Sequence, residues 1–302
     1  MQQNNIKRGA LFMLLSVSLF AFMDLSVKAL SAEYPIGEII FFRGLGGLVT
    51  LLFFLPKEGW TNWLHTKKPG LHFTRAASGT IALFLVYLSL SLLPLATVVS
   101  LTFLSPVFST LLSIFILGEV VRMKRWFAIF LGFFGMLIIV NPTSSQFSIY
   151  MVLPILFCIF FSIVSISIRK LSETESVFSI AASFTVFIIL SSLLTIPFFG
   201  KWVFPVSISD AALLLLGVGF SGGAANLALT AAYSNAPVSS ITPLKYLSLV
   251  YGVFFGYVFF AEIPAYTTYL GSAIIIIASL IILQREKVLK KDSEPEKFSI
   301  QR

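Results

Sequence analysis

Charged side chains are scarce in this sequence, and their scarcity excludes a water-soluble protein. They make up 11% of the 302 residues, whereas hydrophobic residues make up 57%, and the mean hydropathy is +0.95. A soluble fold of this composition has too little polar surface to cover itself. The lipid bilayer must therefore be the solvent, and the sequence predicts an integral membrane protein.

Cysteine and histidine are rare as well, which removes several kinds of chemistry. The single cysteine, Cys158, has no partner for an intrachain disulfide and cannot build a cysteine-rich metal site. The two histidines, His65 and His72, fall in a basic loop, where we expect solvated side chains. We therefore predict neither a metal site nor a cofactor.

Long apolar runs, broken by proline, glycine and charge, fill the chain. They predict ten transmembrane helices, near residues 9–30, 36–56, 71–93, 94–117, 125–141, 149–169, 176–199, 209–233, 237–260 and 265–283. Most connections between these spans are very short. Consecutive helices must therefore pack as antiparallel neighbours, and almost no sequence is left for an extramembrane domain.

The basic residues predict the orientation of the spans. With the N-terminus inside, seventeen of the 21 Lys and Arg residues lie in inside segments, and only Lys28 and Lys201 lie outside. Positively charged loops stay on the cytoplasmic side, so both termini are expected to be cytoplasmic in a multi-pass inner-membrane protein. Because the net charge of +8 is scattered over short loops and a tail, nucleic-acid binding is not expected.

The two halves of the chain repeat. Residues 94–119 align with residues 237–262 without a gap, and the alignment matches proline with proline and glutamate with glutamate. Residues 1–143 and residues 144–285 would each hold five spans, and because five is odd the halves must be inserted with opposite topology. Inverted halves are typical of alternating-access carriers, although apolar segments also match by chance. The charged residues 286–302 predict a disordered cytoplasmic tail.

Three ionisable side chains, Asp24, Arg43 and Lys245, are predicted at bilayer depth. Burial of such a group costs about 2.5–3.5 kcal/mol, so each needs a partner, a wet cavity or a functional reason. Asp24 and Arg43 come to similar heights, so Asp24 could pair with Arg43, or with Lys28 on its own helix. Lys245 follows Pro243, which frees a backbone carbonyl; it either forms an anion-binding corner or pairs with Asp24 to hold the bundle together.

Several other residues near these positions have two interpretations. Phe103, Tyr246 and Tyr251 could stack on a ring-bearing substrate, or they could face lipid as most aromatic residues here do. Glu119 and Glu262 end the fourth and ninth spans, and we interpret them as helix-end groups rather than substrate ligands.

A set of motifs along the chain resembles a known group of carriers. Its members are Arg43, Arg75, Leu-Gly-Glu at 117–119, Phe-Ala-Glu at 260–262, and Trp126 followed by Gly132 and Gly135. Together they resemble the drug/metabolite transporter superfamily, specifically its EamA-type carriers, over nearly the whole chain.

A narrower set of residues resembles the bacterial S-adenosylmethionine uptake transporters of the EamA type. It consists of Asp24 with Lys28, Phe-Phe-Arg at 41–43, and Thr-Pro-Leu-Lys-Tyr-Leu at 242–247. This chain departs from those relatives at Lys245, where they carry arginine, and lysine cannot form the bidentate fork that arginine offers a carboxylate.

The resemblance implies a bacterial inner-membrane carrier with a central cavity that opens alternately to each side. We expect a small amino-acid-like or nucleoside-like zwitterion as substrate, S-adenosylmethionine being one candidate. Arg43 and Lys245 would hold its carboxylate, and Asp24 would hold an amine or sulfonium or carry a coupling proton. Export of amino acids or drugs is the alternative, and the sequence is compatible with any oligomeric state.

Two other classes of function fit less well. An integral-membrane enzyme needs a nucleophile, an acid–base pair or a metal cluster near the interface, and the sequence offers isolated histidines and few acids. A channel subunit needs a filter motif, and inverted halves favour rocking over a fixed pore. We therefore predict that the protein is not an enzyme.

Overall fold

The computed structural model describes residues 6–53, 66, 68–117, 123–141, 147–171, 174–196, 202–203, 205, 207–235 and 242–293. Ten apolar helices fall within these ranges, of which six are long enough to span a membrane and four are shorter. Large apolar side chains such as Phe53, Phe115 and Phe127 lie on the surface of the bundle, where lipid replaces water as the solvent. The predicted class, an all-α integral membrane protein with ten transmembrane helices, is confirmed.

The helices divide evenly between the two repeats. The first repeat contains α1 (Ile6–Leu30), α2 (Ile36–Phe53), α3 (Pro69–Leu92), α4 (Leu95–Thr102 and Ser105–Leu117) and α5 (Met123–Val140). The second contains α6 (Val152–Leu171), α7 (Val177–Leu193), α8 (Ile208–Ala212, a π-helical segment Leu213–Phe220, and Ser221–Asn235), α9 (a 3₁₀ turn Thr242–Tyr246 and Leu247–Phe260) and α10 (Tyr266–Ser293).

The helices of the two repeats pack in the pattern that a pseudo-twofold axis requires. The contact between α1 and α8 recurs as the contact between α6 and α3, with the repeats exchanged. The pairs α2–α7, α4–α9 and α5–α10 each join a helix to its own counterpart. Such pairing across the repeats is what two oppositely inserted halves produce.

Equivalent breaks interrupt α4 and α9. Pro106 has no N–H to donate to the carbonyl of Thr102, and the hydroxyl of Ser105 donates to that carbonyl instead, at 2.6 Å. In α9 the hydroxyl of Ser248 donates to the carbonyl of Lys245 at 2.7 Å. The internal repeat aligns Ser105 with Ser248 and Thr102 with Lys245, so the same hydroxyl-to-carbonyl bond occurs in both halves.

Glycines allow close contact where helices from the two repeats cross. A side chain at Gly46 of α2 would collide with the backbone of Gly219 in α8. At the α5–α10 contact, a Cβ atom at Gly135 would lie 2.9 Å from the carbonyl oxygen of Gly271. These small residues let the backbones approach, as is common for helices packed in a membrane.

The last helix is longer than the sequence predicted. α10 continues to Ser293, so residues 286–293, which we expected to belong to a disordered tail, are helical. This segment contains three lysines, one leucine and one glutamate, and such strong helix formers extend a helix that has already begun. Residues 294–302 lie outside the described residues.

The expectation for His72 was also wrong. His72 lies in the first turns of α3, is buried, and has its Nδ1 atom 2.9 Å from the hydroxyl oxygen of Ser183 in α7. α3 starts at Pro69, earlier than predicted, and this start directs His72 towards α7 rather than into a loop. His65 lies outside the described residues.

Candidate functional site

A small cavity lies between α1, α4 and α9, and Asp24 of α1 faces it. The other lining residues are mainly apolar or small: Ala21, Leu95, Val99, Ser248, Gly252 and Phe255. The enclosed space is about the size of one water molecule. These three helices must therefore separate before a metabolite can reach Asp24.

The Asp24 carboxylate makes no hydrogen bond or ion pair with any residue in the described part of the chain. Its electrostatic neighbour is the hydroxyl of Tyr87 in α3, a residue that is completely buried. A deep carboxylate without a cationic partner is costly unless a cation or a proton reaches it. Asp24 therefore has the properties of a group that binds a ligand or a proton.

Arg43 is a second electrostatic neighbour of Tyr87. Its side chain is 4% exposed, and its Nη2 atom donates a hydrogen bond of 2.9 Å to the carbonyl of Gly222 in α8. The structure thus connects these two predicted site residues through Tyr87, and they form no direct ion pair with each other.

Lys28 does not pair with Asp24, contrary to one of our two expectations. Its ammonium group lies 2.8 Å from the Glu262 carboxylate, at the point where α9 ends. It also donates to the carbonyls of Leu90 at 3.2 Å and Leu93 at 2.7 Å. These partners lie near the ends of α3 and α9, so Lys28 joins those two helices to α1.

Glu262 joins a second helix to this ion pair. Its other carboxylate oxygen accepts the backbone N–H of Leu95, at 2.8 Å, and so caps the start of α4. Pro94 precedes that helix and has no side chain that could serve as a cap. Glu262 is therefore a helix-end group, as predicted, but on a neighbouring helix. We call Lys28, Glu262 and the Leu95 amide the Lys28 cluster.

The predicted aromatic residues lie at two places along α9. Tyr246 packs edge-to-face on Phe103, with ring centroids 5.2 Å apart, so the breaks of α9 and α4 touch each other. Tyr251 shares a hydrogen bond of 2.8 Å with Ser18 of α1, and its ring stacks on Phe255, which lines the cavity. Both contacts join α9 to helices that surround the cavity.

Lys245 lies on the 3₁₀ turn that begins α9, and it is partly buried. Of the three charges predicted to share a pocket, the structure connects Asp24 and Arg43 through Tyr87, and it places Lys245 at the break of α9.

Sequence reasoning missed the position of Arg75. We counted it among the inside basic residues near a span end, but it is 8% exposed, inside the bundle. Its guanidinium carbon lies 3.8 Å from the ring centroid of Phe184 in α7, and its charge interacts with that of Arg43. The sequence does contain a signal for this burial, since Arg75 is a cation several residues inside an apolar helix that begins at Pro69.

The fold and these charges define a class of protein: a multi-pass membrane protein of two five-helix repeats, with a carboxylate facing a small cavity between helices. The chain belongs to the EamA-like transporter family, whose sequence profile matches it twice, over residues 7–141 and 148–284. This confirms the predicted family and the duplication. The protein is accordingly a transporter of small metabolites and not an enzyme.

Relatives of known activity cover nearly the whole chain but differ in what they carry. The pseudopaline exporter CntI of Pseudomonas aeruginosa is 28% identical over 93% of this chain and 98% of its own length. The S-adenosylmethionine uptake transporter of Rickettsia prowazekii is 29% identical over 92% of this chain and 93% of its own. The riboflavin transporter of Vibrio cholerae is 29% identical over 92% of this chain and 94% of its own.

A solved crystal structure has the same fold. It matches with a TM-score of 0.65 at 18% sequence identity and covers 93% of this chain and 98% of that one. Similarity at these levels assigns the family and the fold. The relatives include importers and an exporter, so the substrate must be argued from the site itself.

Proposed function

We propose that this protein is a secondary active transporter of the bacterial inner membrane that moves a small zwitterionic metabolite by alternating access. The observation that carries the proposal is the Asp24 carboxylate, which faces the cavity between α1, α4 and α9 without a hydrogen-bonded partner among the described residues. Arg43, beyond Tyr87, supplies a cation a short distance away. A carboxylate beside a cation suits a ligand that carries both charges.

Each predicted site residue has a role in this proposal. Asp24 binds the amine or sulfonium of the substrate, while Arg43 and Lys245 bind its carboxylate. Among the aromatic residues, Tyr251 stacks against the cavity wall, and Phe103 with Tyr246 lies where α4 and α9 are broken. An amino-acid-like or nucleoside-like compound fits these groups. S-adenosylmethionine is one candidate, because it combines a sulfonium, an amino acid and a nucleoside.

Alternating access has a structural basis in the two ends of α4 and α9. With both termini in the cytoplasm, as the distribution of basic residues supports, the Lys28 cluster lies on the outer side and joins α1, α4 and α9 there. The breaks at Phe103 and Tyr246 give α4 and α9 places to bend. Opening of the outer side would require the Lys28 cluster to separate.

The proposal is tested by transport into proteoliposomes. Purified protein would be screened by thermal shift against amino acids, nucleosides and S-adenosylmethionine, and the stabilising compound would then be used as labelled substrate. We expect Asp24→Asn to lower transport at least about tenfold, because it removes a charged contact with the substrate. The matched control is Glu33→Gln, which removes one acid from an exposed turn after α1 and should transport normally.

The proposal fails if folded Asp24→Asn protein transports as well as Glu33→Gln protein. It also fails if the screen finds only uncharged or purely anionic ligands.

Export of amino acids or drugs is the second candidate function. It is supported by the relative named a pseudopaline exporter, whose similarity extends over the whole fold. Uptake and efflux measured in cells that express the protein separate the two directions. Net accumulation of the labelled compound supports import, whereas faster loss from preloaded cells supports export.

A further inference from the structure

Two buried guanidinium groups converge between α2, α3 and α7. Arg43 and Arg75 are 4% and 8% exposed, and each guanidinium lies along its own helix. A Cβ atom at Gly47 would lie 3.3 Å from Nη1 of Arg43, and one at Gly79 would lie 3.2 Å from Nη1 of Arg75. α2 and α3 run in opposite directions, so the two side chains extend towards each other, and their charges interact.

Three of the six guanidinium nitrogens in this pair are buried without an acceptor in the described part of the chain. Nη2 of Arg43 bonds to Gly222, but Nε of Arg43 and both Nε and Nη1 of Arg75 are buried without a hydrogen bond. The hydroxyl of Thr80 on α3 is also buried without a hydrogen bond to any described residue. A guanidinium cannot lose its proton in a protein, so these donors stay charged and unsatisfied until an acceptor arrives.

Neither guanidinium forms an ion pair with an acid among the described residues. The structure connects Asp24 and Glu175 to the pair through intervening side chains. Glu38 is buried near the start of α2, but its carboxylate accepts the backbone N–H of Val203 at 3.0 Å. Two like charges buried together without a directly paired counter-charge favour the entry of an anion.

The surrounding residues pack closely on the two guanidiniums and add a polar contact. A Cβ atom at Gly222 would collide with Nε of Arg43, so glycine at this position lets the guanidinium lie against the backbone of α8. The hydroxyl oxygen of Thr185 would be 3.7 Å from a Cβ atom at Gly47, on the same side as Arg43. The face of the Arg75 guanidinium is covered by Phe184, which leaves the N–H groups at its edge for a ligand.

We infer that Arg43 and Arg75 together form a binding site for a compact oxyanion, a carboxylate or a phosphate group. Arg75 is thereby added to the residues that receive the negative charge of the substrate. The carboxylate of the transported metabolite is one source of this group, and for that source the inference rests on the proposed function. A free small anion is the other source.

The site is tested by anion-dependent stability of the purified full-length protein. Sodium acetate and sodium phosphate would be titrated against sodium chloride at constant ionic strength. The parent protein should show a saturable rise in melting temperature with at least one oxyanion. Arg75→Gln should weaken the apparent affinity about tenfold or more, because a charge-assisted contact is lost. The matched control Lys7→Gln, an exposed cation on α1, should leave it unchanged.

A second variant decides the matter if Arg75→Gln fails to fold. Gly47→Ala keeps both guanidiniums and places a methyl group beside Arg43, so it should also weaken oxyanion binding. Equal stabilisation of the parent, Arg75→Gln and Gly47→Ala proteins would show a general salt effect and overturn the inference. So would the absence of any saturable response in the parent protein.

The source of the oxyanion follows from competition. If acetate or phosphate competes with the transported metabolite, the site receives the metabolite's own carboxylate. If either anion stabilises the protein without competing, the site receives a free anion.

The proposed function and the oxyanion site can be overturned separately. If transport depends on Asp24 but oxyanion binding does not depend on Arg75, only this inference is overturned. Oxyanion binding that depends on Arg75 without transport of any zwitterion overturns only the proposed function.

Discussion

The Lys28 cluster and the Arg43–Arg75 pair both bury cations among membrane-spanning helices, but their surroundings differ. Lys28 has a carboxylate at 2.8 Å and two backbone carbonyls within hydrogen-bond distance. Arg43 donates to one backbone carbonyl, that of Gly222, and three buried nitrogens of Arg43 and Arg75 have no acceptor among the described residues. The protein thus supplies both an ion pair and hydrogen-bond acceptors for Lys28, whereas it leaves buried N–H groups of Arg43 and Arg75 without acceptors among the described residues.

This difference separates a structural role from a binding role. A satisfied ion pair stabilises one arrangement of helices, and it is strongest when no ligand intervenes. An unsatisfied cation destabilises the empty protein and stabilises a complex with an anion, which is what a carrier requires of its site. The comparison therefore predicts opposite consequences when each cation is removed.

The largest effect is expected from Arg43→Gln. Loss of this guanidinium should reduce transport about 100-fold, because charge-assisted contacts to the substrate disappear. Thermal stability should stay the same or rise, since a buried and partly unsatisfied charge is removed. Transport rates and melting temperatures of the same preparations measure both quantities. An Arg43→Gln protein that is less stable than the parent, yet transports normally while it is folded, would contradict the assignment of Arg43 to the binding site.

Lys28→Met should lower the stability of the protein, unlike Arg43→Gln. It leaves Glu262 without its partner and should lower the free energy of unfolding by about 2 kcal/mol, while the substrate contacts stay intact. In a double-mutant cycle with Glu262→Gln, the two losses should be less than additive, because each variant removes the same ion pair. Additive losses would mean that Lys28 and Glu262 act independently.

Tyr87→Phe gives a smaller effect that probes the connection between Asp24 and Arg43. Removal of one buried hydroxyl between two charges should raise the KM for the zwitterion about fivefold and leave the amount of folded protein unchanged. Tyr34→Phe is the matched control, since its hydroxyl bonds to Asp210, outside the cavity. Equal KM values for the two variants would show that Tyr87 has no part in the site.

The smallest effect tests the equivalence of the two repeats. Ser105→Ala and Ser248→Ala each remove a hydroxyl that satisfies a carbonyl at a helix break. Each should lower the free energy of unfolding by about 1 kcal/mol, and by similar amounts. Chemical denaturation of the two variants beside the parent protein measures this. A large loss in one variant only would show that the breaks have different roles.

The fold could be predicted from the sequence because membrane spans leave a strong one-dimensional signal. Apolar runs predict the ten helices, and the alignment of residues 94–119 with residues 237–262 predicts the duplication without any knowledge of tertiary contacts. The depth of Asp24 within α1 was predictable for the same reason. Its position along a single helix needs no knowledge of the neighbouring helices.

The partners of the charged residues could not be predicted in this way. Lys28 and Glu262 meet because α1 and α9 end on the same side of the bundle, which depends on how the two repeats dock. Arg75 lies within the predicted third span, but its burial depends on which face of α3 packs against α7, where Phe184 covers the guanidinium. Pairings between distant helices require the tertiary structure.

The most direct test of the central claim compares the transported zwitterion with its methyl ester, which lacks the carboxylate charge. The parent protein should prefer the zwitterion at least about tenfold in kcat/KM, because Arg43 contacts the carboxylate. Arg43→Gln should transport both compounds at similar low rates, whereas Asp24→Asn should keep the preference. If Arg43→Gln discriminates against the ester as strongly as the parent does, Arg43 does not bind the substrate and the account is wrong.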